Sequence, residues 1–324
     1  MIIPRLAIRN LLGAGLRTWL NVIVLSFSFV AIILLQGMYE GMSRDATRDM
    51  IEMEYGGGQY WHEKYDPYDP LAIQDAHGLL PARASEWTAA GRAVPILVVQ
   101  GTVFPKGRSV PVLLKGIEPG QAVLGIPTRY LAADITGAVP AVIGGRMAEQ
   151  TGLGLGDTVT VRWRDVHGAF DALELEIVQV MKTTVSSVDA GQAWVPLEEL
   201  RKMSRLEGQA TLLVLAPGHP VEDGLPGWIP KSLDVLLEDI REVVRSKTAG
   251  ATVFYAVLLF LALLAVFNTQ LMSIFHRRKE MGTLMALGMT RAKVIQLLTL
   301  EGALHSVLAA GVAALYGIPL LIHL

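Results

Sequence analysis

Three runs of the chain carry no formal charge: Trp19 to Met38 (20 residues), Ala251 to Phe275 (25) and Gly302 to Leu324 (23). A hydrocarbon layer of about 30 Å needs roughly 20 helical residues rising about 1.5 Å each, so every one of these runs is long enough to cross it. The core helices of soluble proteins rarely run so far without a charge. His305 and the Gly317-Ile318-Pro319 break interrupt the third run, which predicts a kinked span there. At 52% hydrophobic over 324 residues, the chain as a whole is too apolar for an ordinary soluble enzyme.

Charge is sorted by segment. Residues 1–18 carry Arg5, Arg9 and Arg17 with no acid, and residues 276–301 carry Arg277, Arg278, Lys279, Arg291 and Lys293 against Glu280 and Glu301, so each stretch is net +3. The rest holds 20 basic and 28 acidic residues, a net of −8. Short loops rich in Lys and Arg stay on the cytoplasmic side, which puts the N-terminus and the loop after the second run inside and the long segment between the first two runs outside. One span more or fewer would set the two basic stretches against each other. A cleaved signal peptide is a poor account of residues 1–38, because the apolar run is long and Gln36-Gly37-Met38-Tyr39-Glu40 lacks a small-residue cleavage site. Leu6, Leu12 and Leu16 alternate with Arg5, Arg9 and Arg17 at helical spacing, predicting an amphipathic helix on the inner leaflet before the first span.

The resulting fold class is a membrane protein: an α-helical transmembrane bundle with a large mixed α/β extracytoplasmic domain inserted between the first and second spans. Its expected parts are a cytoplasmic amphipathic helix over 1–18, spans over 19–39, 248–275 and 301–324, the outer domain over 40–247 and a cytoplasmic loop over 276–300. Strands are expected at Ala93–Val103, Ser109–Gly116, Thr158–Trp163, Leu173–Met181 and Ala210–Leu215, where Val, Ile, Leu and Thr cluster between turn residues. Helices are expected at Gly145–Thr151, Pro196–Met203 and Ser232–Ser246. From Ser232 through Leu264 there is no proline and one glycine, Gly250, so a single stalk can run from the outer domain into the second span, with Gly250 as its candidate hinge.

Motifs for chemistry are lacking. Gly152, Gly154 and Gly156 form GxGxG and not a dinucleotide fingerprint, and no GxxxxGK[ST] phosphate loop occurs. The seven histidines include no HExxH pair and there is no cysteine, which argues against a metal site and rules out a disulfide. No GxSxG elbow is present, and Tyr65 to Pro70 (YDPYDP) reads as a turn-rich loop. No catalytic residue, metal ligand or cofactor is therefore expected in this chain, nor any nucleic-acid partner.

The segment HRRKEMGTLMALGMTRAKVIQLLTLEGAL, residues 276–304, resembles the loop between the second and third spans of the MacB/FtsX/LolC-type permeases of type VII ABC systems. That family's pattern is Arg-x-x-Glu-aliphatic-Gly followed by Ala-Leu-Gly and a basic amphipathic stretch. Arg277, Glu280, Met281, Gly282, Ala286, Leu287 and Gly288 fit it, as does Glu301 at the mouth of the third span. LAIRNLLGAGLRTWLNVIVLSFSF resembles the family's N-terminal helix and first span, and VLLKGIEP, AVIGGRMAEQTGLGLGDTVTV and QAWVPLEELRKM are similar to its extracytoplasmic domain. Met285 departs from the pattern, standing where the family often carries Arg or Lys. The family has four spans and this sequence shows three, which implies a truncated or incompletely represented chain.

The resemblance implies a permease in the bacterial inner membrane, with the outer domain in the periplasm. Its partners would be a cytoplasmic ABC ATPase dimer, which binds the ATP and Mg, and a second permease subunit, with membrane lipids around it. The inner loop would be a coupling helix seated on the ATPase through Arg277, Arg278, Glu280, Met281, Gly282, Leu284, Ala286, Leu287 and Gly288. Met281, Leu284 and Leu287 offer it an apolar face. GGGQYWHEKYDP resembles the start of the outer domain in the lipoprotein-releasing LolC/LolE branch, which implies lipoprotein export by mechanotransmission, with a lipoprotein or periplasmic carrier as a further partner. The same patterns also occur in FtsX-like regulators of cell-wall hydrolases and in drug or peptide efflux permeases, and both alternatives stay open at this point.

Overall fold

The computed structural model describes residues 15–222 and 224–323. The amphipathic helix expected over 1–18 lies outside them except for its last four residues. The chain divides into two units, one spanning Arg44–Glu242 and the other formed by the segments up to Ser43 and from Val243.

In chain order the main elements are α1 (Leu16–Met50), β1 (Gln59–His62), β2 (Gly78–Leu79), α2 (Ala82–Ala89), β3 (Ala93–Val103), β4 (Val110–Ile117), β5 (Ala138–Gly144), α3 (Gly145–Thr151), β6 (Thr158–Arg164) and β7 (Phe170–Met181). They continue with α4 (Ser186–Asp189), β8 (Gln192–Pro196), α5 (Leu197–Ser204), β9 (Gln209–Ala210), β10 (Leu212–Leu215), β11 (Trp228–Lys231), α6 (Leu233–Leu236), α7 (Glu238–His276), α8 (Arg278–Ala286) and α9 (Arg291–His323).

In the α/β unit nine strands form one sheet in the order β11-β1-β10-β3-β4-β8-β5-β7-β6. β3 is the pivot. Its first half pairs with β10 (Val94 opposite Val214), and its end pairs with β6 (Gly101 opposite Trp163), so six strands close into a ring. Leu97, Val99 and Val103 of β3 point into that ring with Leu114, Val161, Trp163, Leu175 and Ile177. Val94, Ile96 and Val98 point the other way and pack with Ile117, Leu124, Val188 and Trp194. Both faces of β3 are covered, which explains a strand that reads as an unbroken apolar run. β6, with alternating exposure along TVTVRWR, has one face in the core and one outside.

Several expected elements coincide with observed ones, and the differences have physical reasons. The run expected as one strand over Ala210–Leu215 is split at Thr211, whose hydroxyl accepts from the Val98 N–H at 3.1 Å and takes the chain from one sheet to another. β5 and β8 were not expected: Pro140 argues against an interior strand, and QAWVP is only five residues long. The helix expected from Ser232 is broken at Leu237, leaving α6 as a single turn before α7.

The second unit is helical. Val22 and Leu25 of α1 pack against Ala262 of α7 and Ala309 of α9. The buried stripe of α9 is Val294, Leu297, Glu301, His305, Ala309, Ala313 and Gly317 at spacings of three and four, its last three residues all small. Small side chains let helix backbones approach, the pattern used where lipid, and not water, surrounds a bundle. Phe27, Val253, Phe260 and Leu315 are each at least 63% exposed, the inverse of a water-facing helix. Among the described residues three helices are long and apolar enough to cross a membrane: Trp19–Tyr55, Glu238–His276 and Arg291–His323.

Two helices extend past the features singled out in the sequence. α9 continues as helix through Pro319 to His323, so the glycine and proline do not end it. Gly317 serves packing, because a β-carbon on it would lie 2.9 Å from Val30 Cγ2 of α1. The first span does not stop at residue 39 as helix: α1 runs on past Glu40, Arg44 and Arg48 to Met50.

Candidate functional site

α8 is held by one arginine. Arg277, in the turn between α7 and α8, donates from Nε to Glu280 Oε2 at 2.8 Å and from Nη1 to Glu301 Oε1 at 3.3 Å. Glu301 is buried and His305, one turn along α9, places Nδ1 2.7 Å from the Glu301 carbonyl. A buried carboxylate is stable only when paired, so Arg277 is fixed from below by α9 and in turn fixes α8 through Glu280.

The other end of α8 is closed by Gly288. Its φ of +93° is a backbone angle that side-chain-bearing residues rarely adopt. The Gly288 N–H donates to the Met285 carbonyl and the Met289 N–H to the Leu284 carbonyl, both at 3.0 Å, which is the paired Schellman stop. α8 is thus nine residues long, braced by an arginine side chain at one end and closed by a glycine turn at the other.

The residues singled out in the sequence fall into different positions on this element. Arg278, Glu280, Ala286 and Gly282 are exposed, and a β-carbon on Gly282 would meet nothing within 4 Å, so no close approach within the chain requires that glycine. Met281 and Leu284 are half-buried. The most exposed apolar side chains here are Leu287 (80% exposed), one of the expected trio, and Met285 (44%), the residue that departs from the family pattern. Gly250 lies inside α7, which runs uninterrupted on both sides of it.

A second constellation was not foreseen from the sequence. Beyond Met50 the chain makes a short π-helical turn, Ile51–Tyr55, and Glu54 reaches into the α/β core. Its Oε1 lies 3.1 Å from Lys115 Nζ of β4, with the lysine side chain 5% exposed and the glutamate 17%. Ser187 Oγ donates to Glu54 Oε2 at 2.6 Å, and the ammonium lies 5.1 Å from the Trp194 ring centroid. Burial pushes the Glu54 carboxyl up, but the Lys115 charge and hydrogen bonds from Ser187, Lys115 and Gln192 outweigh it and hold the group below its ordinary value. The signal for this pair was a lysine inside an apolar strand, VPVLLKGI.

Next to it, Gly56, Gly57 and Gly58 press the chain against the end of β10. A β-carbon on them would collide with the Leu215 carbonyl, the Ala216 carbonyl and Val221 respectively. The start of α7 adjoins the same turn, since Tyr68 donates its hydroxyl to Asp239 and burial, with the charges of Glu54, Tyr68 and Asp239, pushes the Tyr55 phenol up to about 12. Leu236 and Leu237 are buried here. Within the α/β unit, the turn after α1 is thus tied to β4, and the start of α7 to the loop that carries Tyr68. Among the described residues no group of acids and histidines can hold a metal ion.

Residues 18–223 match the family described as MacB-like periplasmic core domain, and residues 252–324 match FtsX-like permease C-terminal. The chain belongs to the MacB/FtsX-like permeases of the type VII ABC transporter family. Members of this permease family are inner-membrane proteins with a periplasmic domain and work with ABC ATPase partners. Comparison with curated proteins gives no match. Among solved structures, the extracellular domain of the noncanonic ABC-type transporter YknZ from Gram-positive bacteria aligns with a TM-score of 0.32 and 14% identity, covering 50% of this chain and 83% of that one. The periplasmic region of MacB from Actinobacillus actinomycetemcomitans aligns with a TM-score of 0.39 and 11% identity, covering 58% and 94%. For a MacB/FtsX-like permease, α8 occupies the chain position where the family resemblance puts the coupling helix.

Proposed function

We propose that this permease converts ATP hydrolysis by a separate cytoplasmic ATPase dimer into movement of its periplasmic α/β domain. The N-terminus and residues 276–300 face the cytoplasm in this reading, and residues 40–247 the periplasm. The observation that carries it is that α1 and α7 both continue as helix beyond their apolar stretches and that each is tied into the α/β unit, the turn after α1 through Glu54–Lys115 and the start of α7 through Tyr68–Asp239. A helix transmits displacement along its axis, so two helices each anchored at the outer end pass on a tilt that a flexible linker would absorb. α8 supplies the input, with Met285 and Leu287 as its apolar contact and Arg277 as the brace linking it to α9.

The cargo proposed is a lipoprotein released from the outer leaflet, with a second permease subunit completing the machine. Supporting this is an almost wholly apolar groove of about 380 Å³ between α1 and α9, lined by Phe29, Val30, Ile33, Ala314 and Gly317, of a kind that accommodates an acyl chain. The test uses the permease with its ATPase in nanodiscs. Spin labels on cysteines introduced at Thr47 and Glu242 report the spacing of the two helices, and trapping the ATPase with ATP and vanadate should change that distance. The change should vanish in Leu287→Asp. An unaltered distance on trapping would sink the mechanical reading, and recovery of a peptidoglycan hydrolase in place of lipoprotein on purification would sink the cargo.

A further inference from the structure

The outer face of the β-ring is uncovered at one end, over β6 and the ends of β3 and β4. A cavity of about 550 Å³ opens there, lined by Ile73, Thr102, Pro111, Arg162, Arg164 and Phe170 among others. The strand register explains the grouping: Thr102 stands opposite both Arg162 on β6 and Pro111 on β4, so the three share one face, and Arg164 is two residues along the same strand.

The chemistry of the lining is one-sided. The Arg162 guanidinium packs against the Phe104 and Phe170 rings, at 5.5 and 5.3 Å from their centroids. Arg164 is held in place by its Nε donating to the Gly168 carbonyl at 3.1 Å and its Nη1 to Gln74 Oε1 at 3.3 Å. Among the described residues neither arginine has a carboxylate partner. One carboxylate does line the cavity, that of Asp165, but it accepts from the His167 and Ala169 N–H groups at 2.9 and 2.8 Å and faces Arg205 at 3.3 Å. The other ionisable group, His77, is engaged with Gln209 at 2.6 Å. Two preorganised cations without counter-charge, set among Ile73, Pro111 and an exposed Phe170, leave the site short of an anion and of apolar cover.

We infer that this cavity is a binding site for a compact apolar anion, a carboxylate or phosphate carried on an apolar or aromatic body. The head lies against Arg162 and Arg164, and the body lies over Ile73, Pro111 and Phe170. The volume falls in the range of small-molecule sites and is larger than a bare ion requires. Its lining includes no residue of α8 and neither Glu54 nor Lys115, so the inference does not rest on the function proposed above.

Photolabelling of the full chain in nanodiscs with 4-benzoylbenzoate tests it, because that probe has the required charge and shape and reacts on illumination. Labels should map to peptides within residues 98–113 and 162–170. In the Arg162→Met/Arg164→Met variant this labelling should fall roughly tenfold, the loss expected for removing charged hydrogen bonds. Incidental labelling of α7 and α9 should stay constant, which controls for folding, and Arg162→Lys should retain part of the signal. The inference is overturned if neutral 4-(hydroxymethyl)benzophenone labels the same peptides equally, or if the double variant labels like the parent. It is also overturned if a tetraglutamate peptide competes better than 4-phenylbenzoate, which would make the patch an acidic-peptide surface.

Discussion

Lys115 ties β4 to the turn that follows α1 through a buried ion pair. Its ammonium is buried and its only carboxylate partner among the described ion pairs is Glu54. Removing one member of such a pair strands the other charge, so Lys115→Met should lower stability by about 3–5 kcal/mol, read as a fall in the denaturation midpoint. The double variant Glu54→Leu/Lys115→Met removes both charges and should recover most of that loss; a double variant as unstable as the single would show that shape, and not charge, holds the turn. The pair also sets a pH dependence. Because the folded state holds the Glu54 carboxyl below its ordinary 4.5, its contribution is complete at neutral pH. It should be lost as the pH falls below 4.5 through the depressed value, and the Glu54→Leu/Lys115→Met variant should show less of that acid sensitivity.

At the scale of elements, two glycines in the helical unit have opposite roles. Gly288 closes α8 with a positive φ, so Gly288→Ala imposes strain of about 1 kcal/mol, and the loss of the stop should loosen α8. The expected outcome is reduced stimulation of the partner ATPase with the fold of the α/β unit intact, checked by turnover alongside circular dichroism. Gly250 lies within α7 with open space around its α-carbon, so Gly250→Ala should stabilise that helix by about 1 kcal/mol. If Gly250 is a working hinge, the stiffer helix should also change coupling. Unchanged turnover together with a raised melting temperature would assign it to simple helix weakening.

For the whole molecule, the decisive quantity is which side of the membrane each segment faces. The absence of cysteine makes this direct, since any introduced thiol is the sole reporter. A cysteine at Tyr68 or Leu155, both at least 70% exposed, should react with an impermeant maleimide in spheroplasts, whereas one at Met285 should react only after permeabilisation. Reaction at Met285 in intact cells would reverse the topology and remove α8 from reach of any cytoplasmic ATPase.

What could be read from residues alone was whatever depends on neighbours along the chain. Three charge-free runs, two basic flanks, β3 and α3 to their last residue, and the Arg277-to-Gly288 segment all rest on local composition and spacing. What the tertiary structure decided depends on groups distant in sequence. β5 and β8 are strands because their neighbours pair with them, despite Pro140 in β5 and the five-residue length of β8. Gly317 is a packing contact because Val30 lies against it. Glu54 and Lys115, 61 positions apart, become one ion pair only once a π-turn and a sheet bring them together, and no pattern within either segment encodes that distance. Periodicity reports which face of an element is apolar, while the partner that covers that face is chosen by the closing of the ring and the meeting of the two long helices.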